Sequence, residues 1–364
     1  MTDLTEQLRE RVLAAAADKA PLCIRGGGTK DFYGNAPAGA RLGTTNHAGI
    51  VAYEPTELVV TVRAGTRLAE LEAALDEQGQ MLAFEPPHFS LPSPASGRGT
   101  GGEGATVGGC VASGLSGPRR ATAGSVRDFV LGVKLLDGKG EILNFGGQVM
   151  KNVAGYDVSR LMAGALGTLG LLLEVSLKVL PKPPAETTLR LDLPQDKAIE
   201  TMNRWGGQPL PISATCWSDG HLTVRLSGAR AAVAAARGKI GGESVADAET
   251  FWRGVREQQT DFFSGAGTLW RLSLPAKTPP LSLPGEPLIE WGGALRWLTF
   301  DGPADTVRAA VSQAGGHATL FRGGNESVGA FQPLPLPLMA IHKNLKRSFD
   351  PQGLFNPGRL YPEL

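Results

Sequence analysis

The chain is poor in cysteine: Cys23, Cys110 and Cys216 are the only three in 364 residues. They are widely spaced and form no Cys-x-x-Cys pair, so neither a disulfide framework nor a zinc or iron–sulfur site is expected, and a reducing compartment fits best. An excess of charge is missing as well. The sequence sets 36 basic side chains against 35 acidic ones, a formal charge of +1, and that balance implies no nucleic-acid or other polyanion partner. Long apolar runs are also absent. The greasiest stretch, "LGLLLEVSLKVL", carries Glu174 and Lys178, which argues against a membrane span, and the polar start "MTDLTEQLRE" does not read as a signal peptide. The expectation is a cytoplasmic protein that reaches a membrane only through partners.

Several catalytic signatures are missing too. His47, His88, His221, His317 and His342 include no pair at helical or hairpin spacing for a metal. No G-x-S-x-G elbow occurs, so hydrolysis is not supported. "GGGTK" lacks the spacing of a nucleotide-triphosphate loop. "GRGTGG", Gly97 to Gly102, fits the G-x-G-x-x-G pattern, but "LPSPAS" precedes it and no helical pattern follows at once, so a flexible loop is the better reading.

Glycine is what the chain has in quantity. Of the 49 glycines, the densest clusters lie at 26–28, 97–109, 114–124 and 164–170, all before residue 181. The six tryptophans, Trp205, Trp217, Trp252, Trp270, Trp291 and Trp297, all come later. At this length two cores are expected, and "LPKPPAE", Leu180 to Glu186, reads as their junction because its prolines restrict the backbone and withhold amide donors.

In the first region "LTEQLRERVLAAAADKA" spaces its apolar residues as an amphipathic helix, and "LCI", "ELVVTVRAG" and "LLLEVSLKVL" read as strands. Thr66 is placed to cap the helix "RLAELEAALDEQ", with Gly79 ending it. "FVLGVKLL" and "EILNF" flank the hairpin signal "DGKG". The second region repeats a strand–turn–helix unit in "TTLRLDLPQDKAIETMNRW", "LTVRLSGARAAVAAARGKI" and "LRWLTFDGPADTVRAAVSQAGG", which predicts an antiparallel sheet covered on one face by helices. The fold class is α+β.

After a strand, "IRGGGTK" can present several unobstructed backbone N–H groups to phosphate oxygens. "TVGGCVASGLSG" and "GTLG" add small residues at two further places. A flat phosphate-bearing cofactor needs such a set, whereas unrelated turns would also produce it.

Taken in order, "IRGGGTK", "EPTELVVTVRAGTRLAELEAAL", "GATVGGCVASGLSGPRRATAGSVRDFVLGVKLLDGKGEIL" and "KNVAGYDVSRLMAGALGTLGLLLEVSLKVLPKP" resemble the FAD-binding domain of the vanillyl-alcohol oxidase/p-cresol methylhydroxylase flavoprotein superfamily. "FDPQGLFNPGR" is similar to that superfamily's returning carboxyl-terminal segment. With "LWRLSLP" and "EWGGALRW", the chain further resembles the FAD-binding E-subunit family of bacterial glycolate oxidase complexes.

The resemblance implies a two-part FAD-binding domain, residues 1–184 with a returning segment 333–364, and a second domain, 185–332. It implies that Gly26, Gly27, Gly28 and Thr29 donate amides to the FAD pyrophosphate. Thr106, Gly108, Gly109, Ser113 and Gly114 would lie along the ribityl chain and flavin with Arg127 nearby, Gly167, Gly170 and Leu171 would contact the cofactor, and Asn356 could reach the ring system. Thr29 stands where some relatives carry a flavin-linked histidine, so non-covalent FAD is expected.

The hydroxy-acid dehydrogenases of the superfamily carry an "HxGDGN" motif for metal and substrate, and nothing like it occurs between residues 185 and 364. Without it, hydride transfer from a hydroxy acid lacks its activating group. The resemblance therefore implies a subunit that works with a catalytic flavoprotein subunit and an iron–sulfur subunit on glycolate or a related 2-hydroxy acid. Two alternatives stay open: an independent flavin oxidase with its base in the Trp-rich region, and a scaffold that binds partners through an apolar Trp surface. Arg271, between apolar residues, could hold a substrate carboxylate or simply form a buried ion pair.

Overall fold

The computed structural model of the chain describes residues 3–89, 104–147, 157–324 and 326–364. "GRGTGG" and the first part of "KNVAGYD" lie outside them.

Ile50–Glu54, Val59–Arg63, Leu171–Lys178, Val130–Leu136 and Ile142–Gly146 form a five-stranded antiparallel sheet in that spatial order. The central strand Leu171–Lys178 lacks polar alternation because both of its faces are covered. Leu172, Val175 and Leu177 pack with Leu68, Leu71, Val107 and Val111 on one side. Leu171 and Leu173 pack with Leu8, Val12 and Phe355 on the other. The N-terminal helix Thr5–Asp18 supplies Leu8 and Val12 at one-turn spacing.

One local expectation fails. The helix Leu68–Asp76 starts from Arg67 with no side-chain cap, because the Thr66 hydroxyl accepts from the Gly49 amide at 2.9 Å instead. Tying two strand ends together outcompetes the cap. Gly79, at φ 63°, follows the helix end as expected.

A second sheet has eight antiparallel strands, ordered Glu243–Ser244, Ala185–Asp192, His221–Gly228, Ile212–Ser218, Leu288–Glu290, Leu295–Thr299, Leu269–Ser273 and His317–Arg322. The strand–turn–helix units lay the helices Gln195–Gly206, Arg230–Ile240 and Ala304–Gln313 on one face. The other face packs on the helix Ala248–Glu257 and on Tyr33, Phe89, Leu115 and Leu166 of the first region. No apolar Trp surface exists: all six tryptophans are buried, the most exposed at 9%, because each anchors one face of this sheet or a helix against it.

Glu85 bridges the two sheets' surroundings. It takes Arg119 Nε at 3.3 Å and Arg225 Nη2 at 2.8 Å. Burial alone would raise its carboxyl pKa, but Arg225 and Arg119 outweigh burial and hold it below the usual range.

The last segment returns to the first sheet. After the helix Leu336–Phe349, Leu354 and Phe355 join the core around Leu8 and Leu22. The Leu22 amide donates to Leu354 O at 2.7 Å and the Asn356 amide to Leu22 O at 2.9 Å.

Candidate cofactor site

The strand Leu22–Arg25, paired in parallel with Ala40–Gly43, runs straight into the three glycines. Among the described residues, the backbone amides of residues 26 to 30 donate no hydrogen bond. Unpaired consecutive N–H groups are rare and costly unless something accepts them. Side chains cannot be added here. A Cβ on Gly27 would lie 1.6 Å from Gly104 O, and one on Gly26 would lie 2.3 Å from Thr106 Oγ1. Gly28 has φ 77°, and its missing Cβ leaves room for Arg25, which pairs with Asp31 at 2.5 Å. Thr29 is buried. The Lys30 amine sits 3.4 Å from the Thr29 hydroxyl and 5.6 Å from the Phe89 ring centre, and burial lowers its pKa.

Thr106 caps the short helix Val107–Ser113, its hydroxyl accepting from the Gly109 amide at 3.2 Å. Gly108 lets that helix touch the first sheet: its amide donates to Ala64 O at 2.8 Å, and a Cβ would fall 2.7 Å from the Ala64 Cβ. Gly114 closes the helix at φ 68° against Gly164. In the third segment Gly167 has φ 71°, and a Cβ there would meet Asn356 Nδ2 at 2.7 Å.

These segments enclose a cleft lined by Gly26, Gly108, Gly109, Gly167, Gly170 and Asn356 together with Thr44, Ala64 and small or apolar neighbours. Gly27, Gly28, Thr29 and Thr106 stand beside it in the same loops. Ser113 is buried and donates to Cys110 O at 3.0 Å within its own helix. Arg127 is exposed on the short helix Val126–Phe129, outside the cleft lining. Leu171 faces the opposite core, and strand alternation gives its expected place in the lining to Leu172. Asn356 is at the cleft, yet its amide is already engaged: it accepts from the Ile24 amide at 2.7 Å and donates to Leu166 O at 2.6 Å.

Two residues that hold the cleft together escape sequence reasoning. The buried Lys346 amine donates to Thr168 O at 2.8 Å, Phe355 O at 2.7 Å and Asp350 Oδ2 at 2.8 Å, fixing the "GTLG" loop to the returning segment. Arg359 donates to Asp31 O at 2.9 Å and also to Asn35 O, bracing the chain just after the glycines. The only available signals are the i,i+4 spacing of Lys346 and Asp350 and the arginine of "NPGR".

Arg271 lies elsewhere, at a smaller cavity between the two regions, with Glu290 on the same face of the eight-stranded sheet. Glu290 Oε1 accepts from Trp297 Nε1 at 2.8 Å. Burial pushes the Glu290 carboxyl up to about 7, against the lowering pull of Trp297 and Arg271. Among the described residues, no group of three or more His, Cys, Asp or Glu side chains gathers as a metal site.

Residues 3–146 match the FAD binding domain family. The chain is 51% identical over 362 residues to glycolate oxidase subunit GlcE of Escherichia coli (strain K12), covering 100% of this chain and 99% of that one. It is 30% identical over 187 residues to glycolate oxidase subunit GlcD of Bacillus subtilis (strain 168), covering 51% of this chain and 37% of that one. An alkyldihydroxyacetonephosphate synthase structure superposes with a TM-score of 0.64 at 14% identity, over 97% of this chain and 75% of that one, a likeness of fold.

Proposed function

Because the chain belongs to the family of glycolate oxidase subunit GlcE, which it matches from end to end, we propose that it is the FAD-carrying subunit of a complex that oxidises glycolate to glyoxylate. It is an FAD-dependent oxidoreductase subunit, and the observation that carries the reading is the glycine cleft. Unpaired amides at residues 26–30 suit a diphosphate, small residues from three separate segments suit a flat ring system, and among the described residues no charged side chain lines the space. The residues fit the cofactor.

When bound, FAD supplies a two-electron acceptor. The chain's own residues bind and orient it: Gly26, Gly27, Gly28 and Thr29 offer backbone donors to the diphosphate. Gly108, Gly109, Gly167 and Gly170 let the ring approach backbone, and Asn356 fixes the two loops that flank it. Thr29 offers only a weakly nucleophilic hydroxyl where some relatives carry a flavin-linked histidine, so the cofactor is held without a covalent bond.

The main substrate chemistry belongs to a partner flavoprotein, and an iron–sulfur partner takes the electrons on. Support for that division is the stretch from residue 185 to 364, which carries no "HxGDGN" motif. No helix among the described residues is long and apolar enough to cross a membrane, and contact with one runs through the partners. The test is the visible spectrum of the purified chain with FAD, then with glycolate under anaerobic conditions. Flavin bands that stay oxidised until the partners are added support the division of labour. Bands that bleach at the full complex's rate in the chain alone overturn it.

A further inference from the structure

Three arginines surround Trp291 and the small inter-region cavity, and only one has an acidic partner. Arg256 pairs with Glu257 at 2.8 Å. The Arg120 and Arg271 guanidiniums instead lie 4.4 Å and 5.2 Å from the Trp291 ring centre, and among the described residues neither makes a hydrogen bond or an ion pair. Burial lowers the pKa of both, and Arg271 adds to the lowering at Arg120. Two unpaired cations held this close are unfavourable until an anion joins them. Both side chains are half-buried rather than fully enclosed.

They flank a narrow cavity bordered by Arg271, Glu290, Trp297 and Leu115. Sheet register aligns the polar pair. Arg271 stands opposite Trp297, Trp297 opposite Leu288, and Glu290 two residues on from Leu288, so Arg271 and Glu290 share one face. Among the described residues, only one Glu290 oxygen has a hydrogen-bond partner, the Trp297 indole. The site adjoins the cofactor cleft: Leu115 follows the helix whose glycines line that cleft, and Leu166 both lines the cleft and packs with Trp297 and Phe321.

We propose that this cavity binds a small carboxylate of two or three carbons, a 2-hydroxy or 2-oxo acid, with Arg271 taking the carboxylate and Glu290 hydrogen-bonding the neighbouring hydroxyl or carbonyl oxygen. Arg120 adds positive potential from behind Trp291. The groups facing Glu290 are Arg271, Trp297, Cys216 on the neighbouring strand, and Glu85 at longer range. A Glu290 carboxyl that burial keeps largely protonated up to about 7 does not repel the anion. The ligand's chemical class rests on the proposed function; the anion site itself does not.

The experiment titrates the purified, flavin-loaded chain with glycolate, acetate and the neutral glycolamide, following tryptophan fluorescence and binding heat. Saturable glycolate binding in the millimolar range or tighter is expected, with glycolamide silent. Arg271→Gln weakens glycolate binding at least about tenfold and Arg271→Lys restores part of it. Glu290→Gln keeps acetate binding but narrows the preference for glycolate over acetate. Should R271Q fail to fold, Arg120→Gln is read out in the same way, with weaker anion binding expected. No saturable binding in the wild-type chain, or binding indifferent to R271Q or, in its place, R120Q, overturns the proposal. Dye reduction by the assembled complex separates the two readings: turnover without anion binding by this chain sinks only the site, and anion binding without turnover sinks only the glycolate-oxidising function.

Discussion

Lys346 and Asp350 form a buried ion pair at 2.8 Å, one helical turn apart, in which all three lysine N–H donors and both carboxylate oxygens are engaged. Asp350 also accepts the Leu354 amide at 2.9 Å and the Phe355 amide at 2.7 Å, while the lysine takes two backbone carbonyls. Full satisfaction is what makes a buried charge pair tolerable. Lys346→Met leaves Asp350 buried without its counter-charge and releases Thr168 from the returning segment. The expected cost is about 3–5 kcal/mol of unfolding free energy, read by urea denaturation, together with weaker FAD binding. Unchanged stability would refute the role assigned to the pair.

Gly27→Ala drives a Cβ into Gly104 O at 1.6 Å, and backbone cannot yield as a flexible side chain can. The purified variant is expected to retain less than about a tenth of the wild-type flavin content by absorbance, equivalent to a loss of more than about 1.4 kcal/mol in cofactor binding. Near-native secondary structure by circular dichroism should accompany that loss, since Gly27 lies in a loop outside both cores.

Acid or heat precipitation of the flavin-loaded chain should leave its yellow colour in the supernatant. Flavin that stays with the pellet would show a covalent link and overturn the reading of Thr29.

Glu290 sets a pH dependence of known sign. Its carboxyl is raised from 4.5 to about 7 in the folded chain, so between those values the native state holds a proton that the unfolded chain has released. Stability contributed this way is complete below about pH 4.5 and is lost as pH rises to about 7, by roughly 3 kcal/mol in all. The wild-type unfolding free energy measured relative to that of Glu290→Gln should fall through this window and level off above it. Glu85, lowered by its arginines, has the opposite dependence, which is why the comparison with E290Q is needed.

Glu85→Ala removes the buried carboxylate that Arg119 and Arg225 share and leaves them only the partly exposed Glu186. A loss of about 3 kcal/mol in stability is expected, and the tie it removes joins the two regions. Two separated unfolding transitions by calorimetry would mark that uncoupling, where the wild type shows closer cooperation.

Most of the fold was legible because its signals are local. The strand before the glycines, the hairpin at "DGKG" and the three strand–turn–helix units depend on residues within about ten positions of one another. The glycine loop was legible for the same reason. What sequence could not settle were choices made by distant chain. Thr66 gave up its capping role to reach Gly49, seventeen residues away. Leu171 and Leu172 are equally apolar, and only a core on each side of the strand decides which one meets the cleft. Lys346, Arg359 and Glu290 read as ordinary charged residues until the fold brings their partners. Glu290 stood in plain view within "EWGGALRW", but nothing in its neighbours announces that burial will hold its proton.

The bond from the Ile24 amide to Asn356 spans 332 residues of chain. That bond cannot form until the 332 residues after Ile24 have been made, so during synthesis the glycine loop waits without the strut that shapes the cleft. A cleft that needs this strut is therefore shaped late, after both cores have been synthesised. A cell short of FAD would accumulate empty subunits, and their survival would depend on how well the two cores hold without cofactor.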